Sequence, residues 1–288
     1  MRIDLHAHST ASDGTDCPAD VMRHAVAAGL DVVALTDHDT VAGWAEAAAA
    51  APPELTLVPG AEISCGVLVD ERPISLHLLA YLFDPDAEPF ATERALIFTD
   101  RDRRGQEMVE RLVGLGAPVT WARVQELAAG GAVGRPHVAR ALVEAGVVPD
   151  VASAFTDEWI GSSGRAYVDK RFLDPVEAVQ LVIAAGGVAV MAHPGAGKRG
   201  PVVDDGVIAA MAEAGMAGLE VDHPDHDAAT RERYRGLAGD LRLVVTGSSD
   251  DHGALTGRRL GANLTSVEAW SALQSRATGR APVIDPPG

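Results

Sequence analysis

Residues 1–38 read MRIDLHAHSTASDGTDCPADVMRHAVAAGLDVVALTDH. Ile3-Asp4-Leu5 alternates apolar and polar residues as a short strand does, and His6 and His8 follow it directly. A helix is expected from near Pro18, capped by Asp16 or Cys17, to Gly29, with proline early and glycine late. Asp31–Leu35 (DVVAL) then reads as a buried strand, the apolar run that a parallel sheet demands. His38 follows that strand in its turn. A strand, a helix and a strand, each strand trailed by imidazole, make one β/α unit with chemistry at its strand ends.

The same texture continues. Val41–Ala51 reads as a helix stopped by Pro52 and Pro53, Leu55–Val58 as a third strand and Leu76–Phe83 as a fourth. Too few residues separate the third strand from the fourth for a helix, so a hairpin is expected there. From about 86 to 167 no strands are evident, and Thr92–Leu115 and Trp121–Ala129 are charged helical stretches. Strands resume at Val188–Met191, Leu219–Val221 and Leu243–Val245. The simplest architecture is α/β: a seven-stranded (β/α)7 barrel from residues 1–85 and 168–288, with residues 86–167 as a helical insertion. Strand and helix alternation implies parallel strands with functional residues at their C-terminal ends.

Seven of the ten histidines, with acidic companions, fall at those ends. His6, His8 and Asp13 follow the first strand, His38 the second and Glu62 the third. His77 lies in the fourth, and His193 follows the fifth. His223 and His226 follow the sixth, and Asp250 and His252 the seventh. Imidazole with carboxylate suits Zn, Mn or Fe. Residues two apart on a strand point the same way, so one cation can take both His6 and His8. A bridging carboxylate such as Glu62 can hold two cations roughly 3.5–4 Å apart, the spacing of two-metal phosphoryl-transfer sites. Other positions have plainer readings. His24 suits a surface or core role in its helix. His137, in Gly134-Arg135-Pro136-His137, suits a helix start, while Arg135 is either solvated or reaches over the cations to grip a phosphate with its planar fork. Lys198 and Arg199 sit in a glycine-rich loop, either solvated or facing an anion. Neither a phosphate-binding P-loop nor a G-x-S-x-G elbow is present.

The net charge is −17, from 24 Lys+Arg against 41 Asp+Glu. This excludes a chain that wraps duplex nucleic acid through a basic surface. With 47% hydrophobic and 23% charged residues a sizeable core is expected. Cys17 and Cys65 cannot form a disulfide framework and suggest a reducing compartment. The strand directly after Met1 is taken to leave no room for a signal peptide, and the longest apolar run, Leu181–Ala192, is too short to span a bilayer. A cytoplasmic protein with no membrane association is expected.

At these residues the chain resembles the PHP superfamily, the polymerase and histidinol phosphatase phosphoesterases. The resemblance is carried by DLHAHSTASDG (4–14), LTDHDTVAG (35–43), PGAEIS (59–64), HLLAY (77–81), AHPG (192–195), GLEV (218–221) and SSDDHG (248–253). It implies a distorted seven-stranded barrel holding three divalent metal ions (Mn, Zn or Fe). By motif, one ion takes His6, His8, Glu62 and Asp250, a second takes Glu62, His77 and His193, and a third takes Asp13, His38 and His252. The insertion resembles that of nucleoside 3',5'-bisphosphate phosphatases and a related 5'-to-3' exoribonuclease, where it caps the active site and an arginine matching Arg135 contacts phosphate.

The implied activity is hydrolysis of a phosphate monoester of a small nucleotide, a nucleoside 3',5'-bisphosphate or monophosphate, by metal-activated hydroxide. Arg135 and His226 would assist, and His226 or His223 would act as general acid. A 5'-to-3' exonuclease on short oligonucleotides and a non-catalytic metal-binding domain are the competing readings. Asp251 is a departure, standing where the family often has an aromatic residue. There an added carboxylate near the metals would alter phosphate affinity or substrate choice. Three divalent ions would add about +6 at one barrel mouth, so the net acidity does not exclude a small anionic substrate.

Overall fold

The computed structural model describes residues 1–70, 72–197 and 200–283. Seven strands lie side by side in chain order: β1 (Ile3–Asp4), β2 (Val32–Leu35), β3 (Thr56–Val69), β4 (Arg72–Tyr81), β5 (Val188–Met191), β6 (Gly218–Asp222) and β7 (Val244–Gly247). Bridges from Ala7 to Asp251 and from Ile3 to Thr265 draw the last strand's flank back to the first, so the barrel is nearly closed. β2 and β5 are buried at every residue, which explains their unbroken apolar runs. α1 (Pro18–Ala27) and α2 (Trp44–Ala50) pack outside β1–β3, and α6 (Pro175–Ala184) outside β3–β5.

One expectation needs correction: the barrel is not all parallel. β4 runs antiparallel to both β3 and β5. A parallel crossover needs a dozen or more residues, and the chain between β3 and β4 is a hairpin tip, with Val69 opposite Arg72. The reversal places His77 within the strand, opposite Ser64, rather than beyond a strand end.

Alternate strand residues divide into two apolar sets, as a period of two requires. Val33, Leu35, Leu57, Leu78, Met191 and Leu219 join the layer under the helices. Ile3, Val32, Val58, Leu79, Tyr81 and Val190 form a separate inner cluster, reached also by Trp270 of the helix Val267–Gln274. Tyr81 shows that this inner set fills the barrel. Its hydroxyl crosses from β4 to donate to the Leu5 carbonyl beside β1, which is not a neighbour of β4 in the sheet.

Between β4 and α6 the chain builds α3 (Phe90–Gly114), α4 (Trp121–Ala128) and α5 (Arg135–Glu144) around an apolar cluster of its own, from Met108 to Val168. This helical segment is seamed to the barrel. Ala132 N–H donates to the Ala11 carbonyl, and a side chain at Gly131 would meet Thr10 O at 2.4 Å. Deeper in, Arg101 of α3 donates through Nε to the buried Asp39 carboxylate at 2.8 Å. No described helix is long and apolar enough to cross a membrane.

Tyr81→Phe strands the buried Leu5 carbonyl. It is expected to cost about 1–2 kcal/mol and to lower Tm by roughly 2–6 °C in thermal unfolding followed by circular dichroism. An unchanged Tm would remove this bond from the barrel's stability.

Candidate metal centre

The strand ends deliver their histidines to one carboxylate. Glu62, 1% exposed, extends from β3, and Oε1 lies 2.7 Å from His77 Nδ1 and 3.0 Å from His193 Nε2. Oε2 lies 3.1 Å from His8 Nε2, 3.1 Å from His38 Nδ1 and 3.2 Å from His6 Nε2. Asp250 Oδ1 approaches His6 Nε2 at 3.4 Å and His8 Nε2 at 3.3 Å. Asp13 reaches His252 Nε2 at 3.4 Å and His38 Nε2 at 3.7 Å. All nine candidate ligands therefore meet at one end of the barrel.

Among the described residues, ligand-competent atoms form three nests: His8, Asp13, His38 and His252; His6, His8, Glu62 and Asp250; and His38, Glu62 and His77. Within each, the atoms lie within 4.8 Å of one another, a spread that suits ligands about 2.0–2.2 Å from a shared ion. Hydrogen bonding alone does not satisfy this arrangement. His38 Nδ1, His77 Nδ1 and Asp13 Oδ1 are buried without a hydrogen bond, and His6 Nε2 faces His8 Nε2 at 3.1 Å. Lone pairs converging in a buried space fit cations.

Neighbouring groups orient the ligands. Glu220 pairs with His6 Nδ1 at 3.1 Å and accepts from His193 N–H at 2.8 Å. Asp37 accepts from Ser9 N–H and the Ser12 hydroxyl, both at 2.7 Å, which fixes the loop carrying Asp13. His252 Nδ1 faces the Asp250 carbonyl at 3.1 Å, leaving Nε2 for the cluster. Spacing arguments did not find Glu220 or Asp37. A carboxylate within the otherwise apolar strand Gly-Leu-Glu-Val was the available signal for Glu220.

Charge sets the protonation of the cluster. Burial opposes protonating His6 and His8, but the Asp250 and Glu62 carboxylates outweigh it, with Glu220 adding to them at His6. His6 is held well above its usual range and His8 at about 10. Burial pushes His38 and His77 down. Burial also opposes ionising Glu62 and Asp13, yet their imidazole neighbours hold both well below the usual carboxylate range.

Two expected catalytic residues, His226 and His223, lie behind the cluster. His226 has both ring nitrogens engaged with backbone: Nδ1 faces the Val221 carbonyl at 2.8 Å, and Nε2 accepts from Gly195 N–H at 3.0 Å. His223 is fully buried, accepts from Asp225 N–H through Nδ1 and faces Asp250 Oδ2 through Nε2 at 3.3 Å. This places it against Asp250. Asp251 is turned from the cluster, its carboxylate taken by Gly253 and Arg259 N–H groups, so it adds no charge among the candidate ligands. His24 pairs with Asp16 at the surface, and His137 accepts from Gly134 N–H at the start of α5. Lys198 and Arg199 lie outside the described residues. Gly195–Gly200 spells G-x-G-x-x-G after β5, but the next helix, α7 (Asp205–Glu213), starts too late for a dinucleotide turn.

Beside the cluster lies a cavity of about 690 Å³, bounded by the barrel mouth and the helical segment. Arg104 and Arg135 line it, and their partners are carbonyl oxygens and the rings of Phe155 and Tyr167 rather than carboxylates. Burial lowers both guanidiniums, Arg104 to about 10 with Arg135 repelling it. Lys170 also lines it, with Nζ 3.2 Å from His77 Nε2, and burial among arginines brings it down to about 7. Arg104 and Lys170 were not singled out by sequence, because nothing local distinguishes them from solvated charges.

The PHP domain profile matches residues 4–114. A phosphoribosyl 1,2-cyclic phosphate 1,2-diphosphodiesterase of Eggerthella lenta is 32% identical over 258 residues, covering 88% of this chain and 95% of that protein. A 3',5'-nucleoside bisphosphate phosphatase of Chromobacterium violaceum is 31% identical over 264 residues, covering 89% of each. A crystal structure from Bifidobacterium adolescentis, assigned as a metal-dependent phosphoesterase, superposes with a TM-score of 0.86 at 36% identity, covering 96% of each chain.

The raised His6 and His8 values make loading of the apo-protein a proton-releasing event. Their share of apo stability is complete below about 6.5 and is lost as pH rises toward the folded values. Calorimetry of Mn(II) binding at pH 8, in buffers of differing ionisation enthalpy, should show at least one proton released per chain. Buffer-independent heats would refute this. Glu62→Gln should lower bound metal in elemental analysis more than any single histidine-to-alanine change, since Glu62 alone touches five imidazoles.

Proposed function

The chain belongs to the PHP domain family, and on that premise we propose that it is a metal-dependent phosphoric ester hydrolase that releases phosphate from a small nucleotide, a nucleoside 3',5'-bisphosphate or monophosphate. The observation that supports this most is the juxtaposition of the three ligand nests with a cavity that Arg104, Arg135 and Lys170 also line. A cavity of about 690 Å³ suits one small molecule.

In this reading His6, His8, Glu62 and Asp250 hold one ion, Glu62, His77 and His193 a second, and Asp13, His38 and His252 a third, with Mn, Zn or Fe the fitting elements. Bound ions would supply a water acidified toward pKa ~7 and a charge to offset that of the phosphate. The chain does the rest. Arg135 and Arg104 bind the ester's anionic oxygens as desolvated donors. Glu220 and His223 keep His6 and Asp250 in place. Residues 86–167 act as a cap that excludes water and bulky polymers. The free thiols of Cys17 and Cys65 suit a reducing compartment, and we place the enzyme in the cytoplasm.

A phosphate-release screen with Mn(II) should include bisphosphates, monophosphates and short 5'-phosphorylated oligonucleotides. Nucleotide turnover well above oligonucleotide turnover is expected, and the reverse ranking would make the chain an exonuclease. His6→Ala with Asp250→Ala should abolish release; unchanged activity would overturn the metal assignment. Arg135→Ala should raise KM about tenfold or more, and an unchanged KM would take Arg135 out of the site.

A further inference from the structure

After β7 the chain places two neighbouring ligands, Asp250 and His252, at the metal cluster and turns the residue between them the other way. Asp251 is 2% exposed, and its carboxylate closes the following loop. Oδ2 accepts from Gly253 N–H at 3.0 Å, and Oδ1 accepts from the Thr256 hydroxyl at 3.1 Å and from Arg259 N–H at 2.6 Å. Three donors within nine residues therefore meet on one buried anion, and the loop's far end is pinned at Arg259.

Arg258 and Arg259 then diverge. Arg258 runs along the surface to Asp16, with its side chain 53% exposed. Arg259 lines the cavity, on whose wall His252 and Arg135 also stand. One of its terminal amino groups donates to the Asp250 backbone carbonyl at 2.8 Å and lies 3.6 Å from Asp250 Oδ2. Its Nε is buried without a hydrogen bond. A buried guanidinium N–H with no acceptor is costly, and the side chain that carries it, 23% exposed, lines the cavity where the substrate would be held. Neutralising Asp250 does not require it, because His6, His8 and His223 already surround that carboxylate.

We propose that Arg259 is a further substrate-contacting residue, donating from its guanidinium to an oxygen of the phosphate group at the metal cluster, and that Asp251 is the positioning residue that presents it. This rests on the phosphoesterase reading. It also gives the unusual carboxylate at 251 a role, since an aromatic residue there could not accept from the Arg259 backbone.

The test uses Mn(II)-loaded full-length protein, with inorganic phosphate binding by calorimetry, KM and kcat on the preferred ester, and bound metal per chain. Arg259→Ala should weaken phosphate binding and raise KM about tenfold or more, with kcat changed far less and metal content unchanged. Arg259→Lys should recover part of the loss. Asp251→Asn should shift KM in the same direction, yet add little when Arg259 is already alanine. Phosphate affinity within about twofold of wild type in Arg259→Ala, loss of metal from that variant, or fully additive effects of the two sites would each overturn the proposal. If the wild type binds phosphate through Arg259 but hydrolyses no ester, the proposed function falls and this inference stands. If it binds no phosphate, both fall.

Discussion

One carboxylate holds five imidazoles within 3.2 Å, and the rest of the molecule is arranged to let it. Glu62 is buried and ionised, a state that a protein interior tolerates only when charge surrounds it. No single element can surround it. β1, β2 and β5 each send histidines from their ends, and β4 contributes its own from within the strand. A nearly closed barrel brings these segments to one point, and the apolar filling behind them, with Tyr81 spanning the lumen, keeps the point small. Divalent cations are what such a constellation of lone pairs accommodates.

Much of this was legible in the chain because strand ends are local. The apolar runs at 32–35 and 188–191 are strands as read, and the histidines after them reach the cluster. The hairpin before β4 followed from chain length alone, and an antiparallel β4 is its physical corollary, though His77 then enters from mid-strand. What stayed hidden depends on side-chain direction across the fold. Glu220, Asp37 and Lys170 gain their roles from partners roughly 25 to 200 positions away, which no local spacing encodes. His223 and His226 lie at a strand end like the candidate ligands. Only their hydrogen-bond partners show that one braces Asp250 and the other a loop.

The helical segment is tied to the ligands by charge as well as by packing. Arg101 donates to Asp39 and also to the Ser64 hydroxyl, which lies 3.3 Å from Lys170 Nζ; Lys170 in turn contacts His77. Asp39 sits next to His38 in the left-handed region, φ 58°, a conformation that a non-glycine residue keeps only under constraint. A buried guanidinium from α3 supplies part of that constraint. The outer helices and the inner ligands are thus one electrostatic unit.

The seam at Gly131 carries a consequence for descent. With Thr10 O 2.4 Å from where a Cβ would stand, the helical segment meets the barrel backbone to backbone, three residues from Asp13. Such a joint has no spare volume in which to drift. The segment cannot be traded as a cassette between relatives without recutting the loop that carries Asp13, so helical segment and barrel must be inherited together.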